Sequence, residues 1–407
     1  MTYKIIILIC AILGSAYSII LGAVKFRSAN NPTPQNVADI YDAETYKTWK
    51  KYSAEHCRLD IISSCITLVL AAGLLISNAH ALFASLFPHY VGQMFGVVIL
   101  EVIIDAVVST VTGYIATMKI EQKYGFNRST LKTFIFDRIR SIILSAGLSF
   151  ALVSLIYVTH TFTGNFIILV FAASMLAFNL LVSFLFPYLS RIGNKFTPLE
   201  DGELNDKLME LLTKHGYNVR AIEVMDASRR TTKLNAYIAG YGKSKTIVLY
   251  DNLIAAMTTD EICAIFAHEL GHGLHKHVLK RQLLSTGYLL LLAAAVWAMV
   301  SIPEIYTDFG FDGVNYGFAY ILTSVIISVL QPAVNLVINA SSRAHEYEAD
   351  RQAVLEGYGE AMIPAFKKLA KDNFSHLAPS RLNVVLEYSH PPISDRISAV
   401  EKALQEK

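Results

Sequence analysis

The heptapeptide FAHELGH, residues 266–272, holds two histidines four apart with a glutamate directly after the first. On a helix, positions i and i+4 project from one face, so His268 and His272 can grip one ion together. Zinc favours imidazole and carboxylate, and hydrolytic zinc sites use three protein ligands with a fourth position left for water. Glu269, beside the first histidine, can reach that water as a general base. Two helix histidines packed against an ordinary core would show the same spacing. The difference lies in whether the chain supplies a third ligand.

SSRAHEYEADRQAV, 341–354, offers one. Glu346 and Asp350 lie four apart on one helical face, while Glu348 points roughly opposite. With Glu346 as ligand, Asp350 one turn later can accept a hydrogen bond from the distal ring nitrogen of a ligating histidine and fix its tautomer. Alone, EYEAD reads as a solvated acidic face; following HELGH, it reads as a ligand segment. His275 shares the face of His268 and is a rival ligand, but helical rise puts it about 10 Å beyond that residue. It and His277 are read as surface or outer histidines.

These residues must be positioned by a membrane protein. Of 407 residues 53% are hydrophobic and 17% charged, and the mean hydropathy is +0.42. That is too apolar for a typical soluble domain. Cys10, Cys57, Cys65 and Cys263 form no CxxC pair and read as small core hydrophobes. Apolar runs long enough to cross a bilayer recur seven times, near 4–24, 61–86, 92–117, 141–160, 165–188, 283–301 and 318–338. The first is expected to be a retained span rather than a cleaved leader. With seven spans, the segments 25–60, 118–140, 189–282 and 339–407 share one side and hold 34 of the 35 Lys and Arg residues, all but Lys4. The positive-inside rule then places them in the cytoplasm and the N-terminus outside. Glu101 and Asp105, four apart in the third span, must face away from lipid, toward a polar contact in the bundle or a water-filled interior.

The expected organisation is spans one to five in 1–188, with cytoplasmic loops 25–60 and 118–140. An α+β catalytic portion follows in 189–282, then spans six and seven in 283–338, and a helical C-terminal portion in 339–407. The first basic segment can run as a helix into span two. Segment 189–282 opens on a Pro/Gly/acid boundary, FTPLEDGEL, and continues as a helix that stops at Gly216. Three β-type runs come next, VRAIEVMDA, LNAYIAGYG and KTIVLYD, with GYGKSK as a hairpin turn. The helix 258–278 follows, capped by Thr258 or Thr259.

Together these pieces resemble the type I CAAX prenyl endopeptidases, integral-membrane zinc proteases that cut prenylated proteins near the C-terminus. Beyond HELGH, the resemblance covers IEQKYGFNRSTLKTFIFD, FTPLEDGEL, NAYIAGYGKSKTIVLYDNLI, EYEAD and SHPPISDRI, in family order. It implies a mainly α, polytopic fold: seven transmembrane helices forming a barrel around a large chamber, with a small α+β protease portion at the cytoplasmic side. It implies one zinc held by His268, His272 and Glu346, with Glu269 as the catalytic glutamate. It also implies that His390 and Arg396 lie near the zinc and steady the oxyanion, and that Asn235 and Ala236 belong to an edge strand that pairs with an extended substrate. Read without the resemblance, HPP in HPPISDR is simply a turn.

The chain is somewhat short for eukaryotic members, its 302–317 loop is compact, and ALQEK carries no retrieval signal. A bacterial relative in the plasma membrane is therefore expected, or one in the endoplasmic reticulum if the source is eukaryotic. The expected partners are a peptide or protein substrate, prenylated or not, and membrane lipid, with no nucleic acid. Two other readings are a membrane quality-control zinc protease and a catalytically silent binding or transport protein. The presence of Glu269 speaks against the last, since binding alone needs no general base.

Overall fold

Where the chain runs apolar it is helical, because a helix satisfies its own backbone polar groups in hydrocarbon. The computed structural model describes residues 1–239 and 245–407. Its first half comprises α1 (Thr2–Ser28), α2 (Ala43–Ile76), α3 (Ala79–Ala84), α4 (Tyr90–Tyr114), α5 (Leu131–Thr163) and α6 (Ile167–Leu189). Next come β1 (Phe196–Pro198), α7 (Glu203–Lys214), β2 (Ala221–Met225), β3 (Ala236–Ala239), β4 (Thr246–Tyr250), α8 (Asp251–Ala256) and α9 (Thr259–Leu274). The chain ends with α10 (His277–Val300), α11 (Pro303–Asp308), α12 (Tyr316–Leu355), α13 (Gly359–Asp372), α14 (Arg381–Glu387) and α15 (Ile393–Gln405).

Among the described residues six stretches are long and apolar enough to cross a membrane, and the longest covers 58 residues, Leu131–Tyr188. As one straight helix it would measure about 87 Å, nearly three hydrocarbon cores. A 3-10 turn at Gly164–Phe166 divides it into α5 and α6, which pack on each other. Six stretches thus hold seven helices. Two boundaries differ from the apolar pattern. The run 61–86 is divided by Asn78 in the left-handed conformation (φ 58°), so α2 stops at Ile76 and α3 lies apart. The helix read over 258–278 ends at Leu274, because Lys276 is left-handed (φ 54°, ψ 35°) and turns the chain into α10.

The seven long helices close into a ring. α1 packs on α2, α2 on α4, α4 on α5, α5 on α6, α6 on α10, α10 on α12, and α12 back on α1. Each has a central stretch with no buried residue: 12–20, 58–74, 99–119, 131–152, 173–186, 278–288 and 328–338. Helices that bury neither face at mid-height surround a hollow. The ring is filled only at its ends. At one end Tyr306, Phe309 and Phe318 pack against α4, and α12 meets it backbone to backbone. A Cβ on Gly317 would lie 2.1 Å from the Met94 carbonyl oxygen. Glu101 finds its polar contact here, 2.6 Å from His80 Nε2.

A second apolar core, built from α7, α9, α13, α15 and the inner faces of β2 and β4, closes the other end. Its sheet has the order β1-β2-β4-β3, with β2 and β4 parallel and the outer strands antiparallel. β1, read from sequence as a boundary, pairs Thr197 with Val224. Of the expected hairpin turn GYGKSK, residues 240–244 lie outside the described residues. β3 is an edge strand. The EYEAD segment is continuous with the last span, since α12 runs unbroken for 40 residues.

Candidate metal centre

α9 begins with a capping box that satisfies its first N–H groups. Thr258 Oγ1 accepts from the Glu261 N–H, and Glu261 Oε2 accepts from the Thr258 N–H at 2.7 Å. Burial works to raise the Glu261 pKa, but Lys368, 2.6 Å away, and the Thr258 N–H hold it below the usual carboxylate range. From this anchored start α9 runs buried to Gly271, where it crosses α12. A Cβ at position 271 would lie 2.9 Å from Gln352 Cβ and 3.0 Å from Ala349 Cα. Only glycine lets the two helices approach this closely, and the approach brings HELGH against EYEAD.

The crossing gathers three donors. His268 Nε2 and His272 Nε2 are 3.1 Å apart, and Glu346 oxygens lie 3.5 Å from the first and 3.3 Å from the second. A tetrahedral ion with bonds of about 2.0–2.1 Å separates its ligands by roughly 3.3 Å. With one atom taken from each residue the donors lie within 4.8 Å of one another, a cluster that a small ion such as zinc can draw together. The protonation pattern agrees. Asp350 Oδ1 lies 2.8 Å from His268 Nδ1, so it takes the Nδ1 proton and leaves the Nε2 lone pair on the triangle. Glu346 Oε2 is buried with no hydrogen-bond partner among the described residues. Donors whose lone pairs face one another in a buried cluster favour a cation between them.

Arg396 stands behind this triangle. Its Nε donates to Asp350 Oδ2 at 2.9 Å and its Nη2 to Asp350 Oδ1 at 2.6 Å, while Nη1 lies 3.3 Å from Glu346 Oε2. The guanidinium is buried and stacks over Phe366 at 4.2 Å. Its fork faces the two carboxylates, and the side chain also lines the adjoining cavity.

The open side of the triangle faces a cavity of about 930 Å³ that Glu269, His390, Asn235 and Ala236 also line. Glu269 is half-buried on α9. His390 Nε2 is 3.4 Å from Glu346 Oε1, and its Nδ1 is 2.9 Å from the Ser389 hydroxyl. The His390 side chain is 63% open and lines the cavity. That enclosure lowers its pKa from the usual histidine value, with Glu346 opposing. Asn235 is exposed at the start of β3, and the Asn235 carbonyl accepts from the Tyr250 N–H at 3.2 Å. The residues expected to bind metal, catalyse and meet substrate therefore all line one cavity, Arg396 included, with Asp350 behind His268.

Sequence reasoning left His277 either at the surface or just behind the ligands, and it lies behind them, buried, with its Nδ1 2.8 Å from His272 Nδ1 and its Nε2 2.8 Å from Glu348 Oε2. No periodicity signals this contact, because it depends on the break at Lys276.

Comparison with known proteins gives the same direction. A family model described as "Peptidase family M48" matches residues 198–404, and one described as "CAAX prenyl protease N-terminal, five membrane helices" matches residues 23–191. The chain is 28% identical to the CAAX prenyl protease 1 homolog of Oryza sativa subsp. japonica, over 94% of its own length and 93% of that protein's. It is 30% identical to CAAX prenyl protease 1 of Saccharomyces cerevisiae, over 72% of its own length and 69% of that protein's. Its fold is similar to the crystal structure of S. mikatae Ste24p, with a TM-score of 0.89 at 24% identity, covering 98% of this chain and 99% of that one.

Proposed function

We propose, for a chain that belongs to peptidase family M48 and is a multi-pass membrane metalloendopeptidase, that its metal is one zinc ion held by His268, His272 and Glu346. The observation that carries this is the His268–His272–Glu346 cluster, in which each residue offers one donor atom within 4.8 Å of the others. Bound there, zinc supplies Lewis acidity, polarising the scissile carbonyl and making water acidic near neutrality. Glu269, beside His268 and open to the cavity, takes the proton of the attacking water on its carboxylate and passes it to the leaving amine nitrogen. With Ser389 donating to its Nδ1, His390 carries its proton on Nε2 and donates it to the oxygen on which charge develops. Asp350 orients the His268 ring, and Arg396 holds Asp350 and Glu346 in place as a positioning residue.

The unpaired edge of β3, with Asn235 and Ala236 at the cavity, receives an extended peptide by β-addition. Relatives named as CAAX prenyl proteases support a substrate with an apolar or prenylated C-terminal segment, which the hollow ring can admit beside lipid. The catalytic end faces the cytoplasm, by the distribution of Lys and Arg. Purified protein incubated with a farnesylated CAAX-ending peptide should release the C-terminal tripeptide, read by mass spectrometry, and a zinc chelator should abolish release. Cleavage that persists at full rate in the chelated, metal-free protein would refute the reading.

A further inference from the structure

The two histidines of HELGH are held by different devices. His268 leans on Asp350, a carboxylate. His272 has no carboxylate at its Nδ1; it meets a third histidine. We propose that His277, itself held by Glu348, is a positioning residue that fixes the ring and tautomer of His272. This inference rests on the zinc ligand set proposed above.

The proton order follows from the contacts. Glu348 Oε2 is 2.8 Å from His277 Nε2 and accepts its N–H. That leaves a lone pair on His277 Nδ1, which is 2.8 Å from His272 Nδ1 and accepts its N–H in turn. With its proton on Nδ1, His272 presents the Nε2 lone pair to the triangle it shares with His268 and Glu346. Lys280, 3.4 Å from Glu348 Oε2, keeps that carboxylate charged and acceptor-only. His345 stacks on the His277 ring, with centroids 4.1 Å apart and planes at 12°, and sets its orientation.

The backbone is arranged for this contact. Residues five apart on one helix point about 140° apart, so His272 and His277 could not meet ring to ring on a continuous α9. The left-handed turn at Lys276, a conformation that costs a non-glycine residue roughly 1–2 kcal/mol, ends α9 and swings His277 back. His277 is only 4% exposed.

The test is zinc affinity of the purified full-length protein, read by competition with a chromophoric chelator, alongside the melting temperature of the zinc-free protein. His277→Phe keeps a ring on His345 but removes the acceptor, and should bind zinc roughly 10- to 100-fold more weakly. His277→Gln, whose Oε1 can accept the His272 N–H, should recover most of that loss. Glu348→Ala should weaken binding in the same direction, and Glu348→Gln should bind within about threefold of wild type, since an amide oxygen still accepts. Wild-type affinity in His277→Phe overturns the proposal. A matching drop in zinc-free melting temperature also overturns it, since that marks a merely structural role. Should His277→Phe fail to fold, Glu348→Ala decides, because the Glu348 side chain is 46% open and its loss leaves the core intact; unchanged affinity there is again contradictory. Glu346→Ala separates the two readings. If it keeps its zinc, the ligand set itself is wrong; if it loses zinc while His277→Phe does not, only this inference fails.

Discussion

Four side chains share two buried negative charges and one buried positive one behind the ligand triangle: Glu346, Asp350, Arg396 and His268. Removing one member of such a set exposes the cost of burying the others, about 3–5 kcal/mol for a broken buried pair. We propose that Arg396 holds the carboxylates in register. Arg396→Gln is predicted to lose zinc and peptidase activity together, in parallel across a zinc titration, and adding Asp350→Asn should restore part of the lost stability. A variant at full zinc occupancy whose turnover is still down 100-fold would return Arg396 to the oxyanion role. At this scale the sequence was most legible where helical spacing does the work. His268 with His272, and Glu346 with Asp350, are each four apart, and α-helical geometry alone puts each pair on one face. Arg396 was found by resemblance, but what it touches was not legible. Spacing along one helix says nothing about which way a guanidinium from another helix will point.

The centre exists only because α9 and α12 cross at Gly271. A methyl group there meets Ala349 backbone at 3.0 Å, so the helices must separate for it to fit. Overpacking of this kind costs about 1–3 kcal/mol, and here the strain falls one residue from His272. Gly271→Ala is predicted to lower both the melting temperature and zinc affinity, whereas Glu210→Ala, exposed on α7, should lower neither. Unchanged zinc affinity in Gly271→Ala would show that the ligand triangle does not depend on the crossing. The elements themselves were largely legible, because apolar runs, the capping box at Thr258 and the β-type runs each carry a local signal. The breaks were not. Asn78 and Lys276 leave the helical region without a glycine or proline to announce it, and only tertiary contacts make those turns worthwhile. The strand β1 was missed for the same reason, since three residues pair only because β2 lies beside them.

As a whole the chain is a ring of helices filled at its two ends and hollow between, with the metal centre in the end that carries the basic segments. The charge distribution supports our proposal that this end faces the cytoplasm. In a cysteine-free background, Lys402→Cys in intact cells should resist a membrane-impermeant maleimide and Asp312→Cys should react; the reverse pattern would invert the topology. The hollow also explains why protease chemistry sits among spans. A peptide can reach a water-filled site from the membrane side, while Glu269 works in the same enclosed space. The central claim is that this space houses zinc peptidase chemistry with Glu269 as its base. Its most direct test is the turnover of Glu269→Gln at full zinc occupancy on the farnesylated CAAX-ending peptide. The substitution keeps size and hydrogen bonding but removes proton acceptance, so turnover should fall at least ~10²-fold with peptide affinity and zinc content retained. Near wild-type cleavage by that zinc-loaded variant would contradict the account.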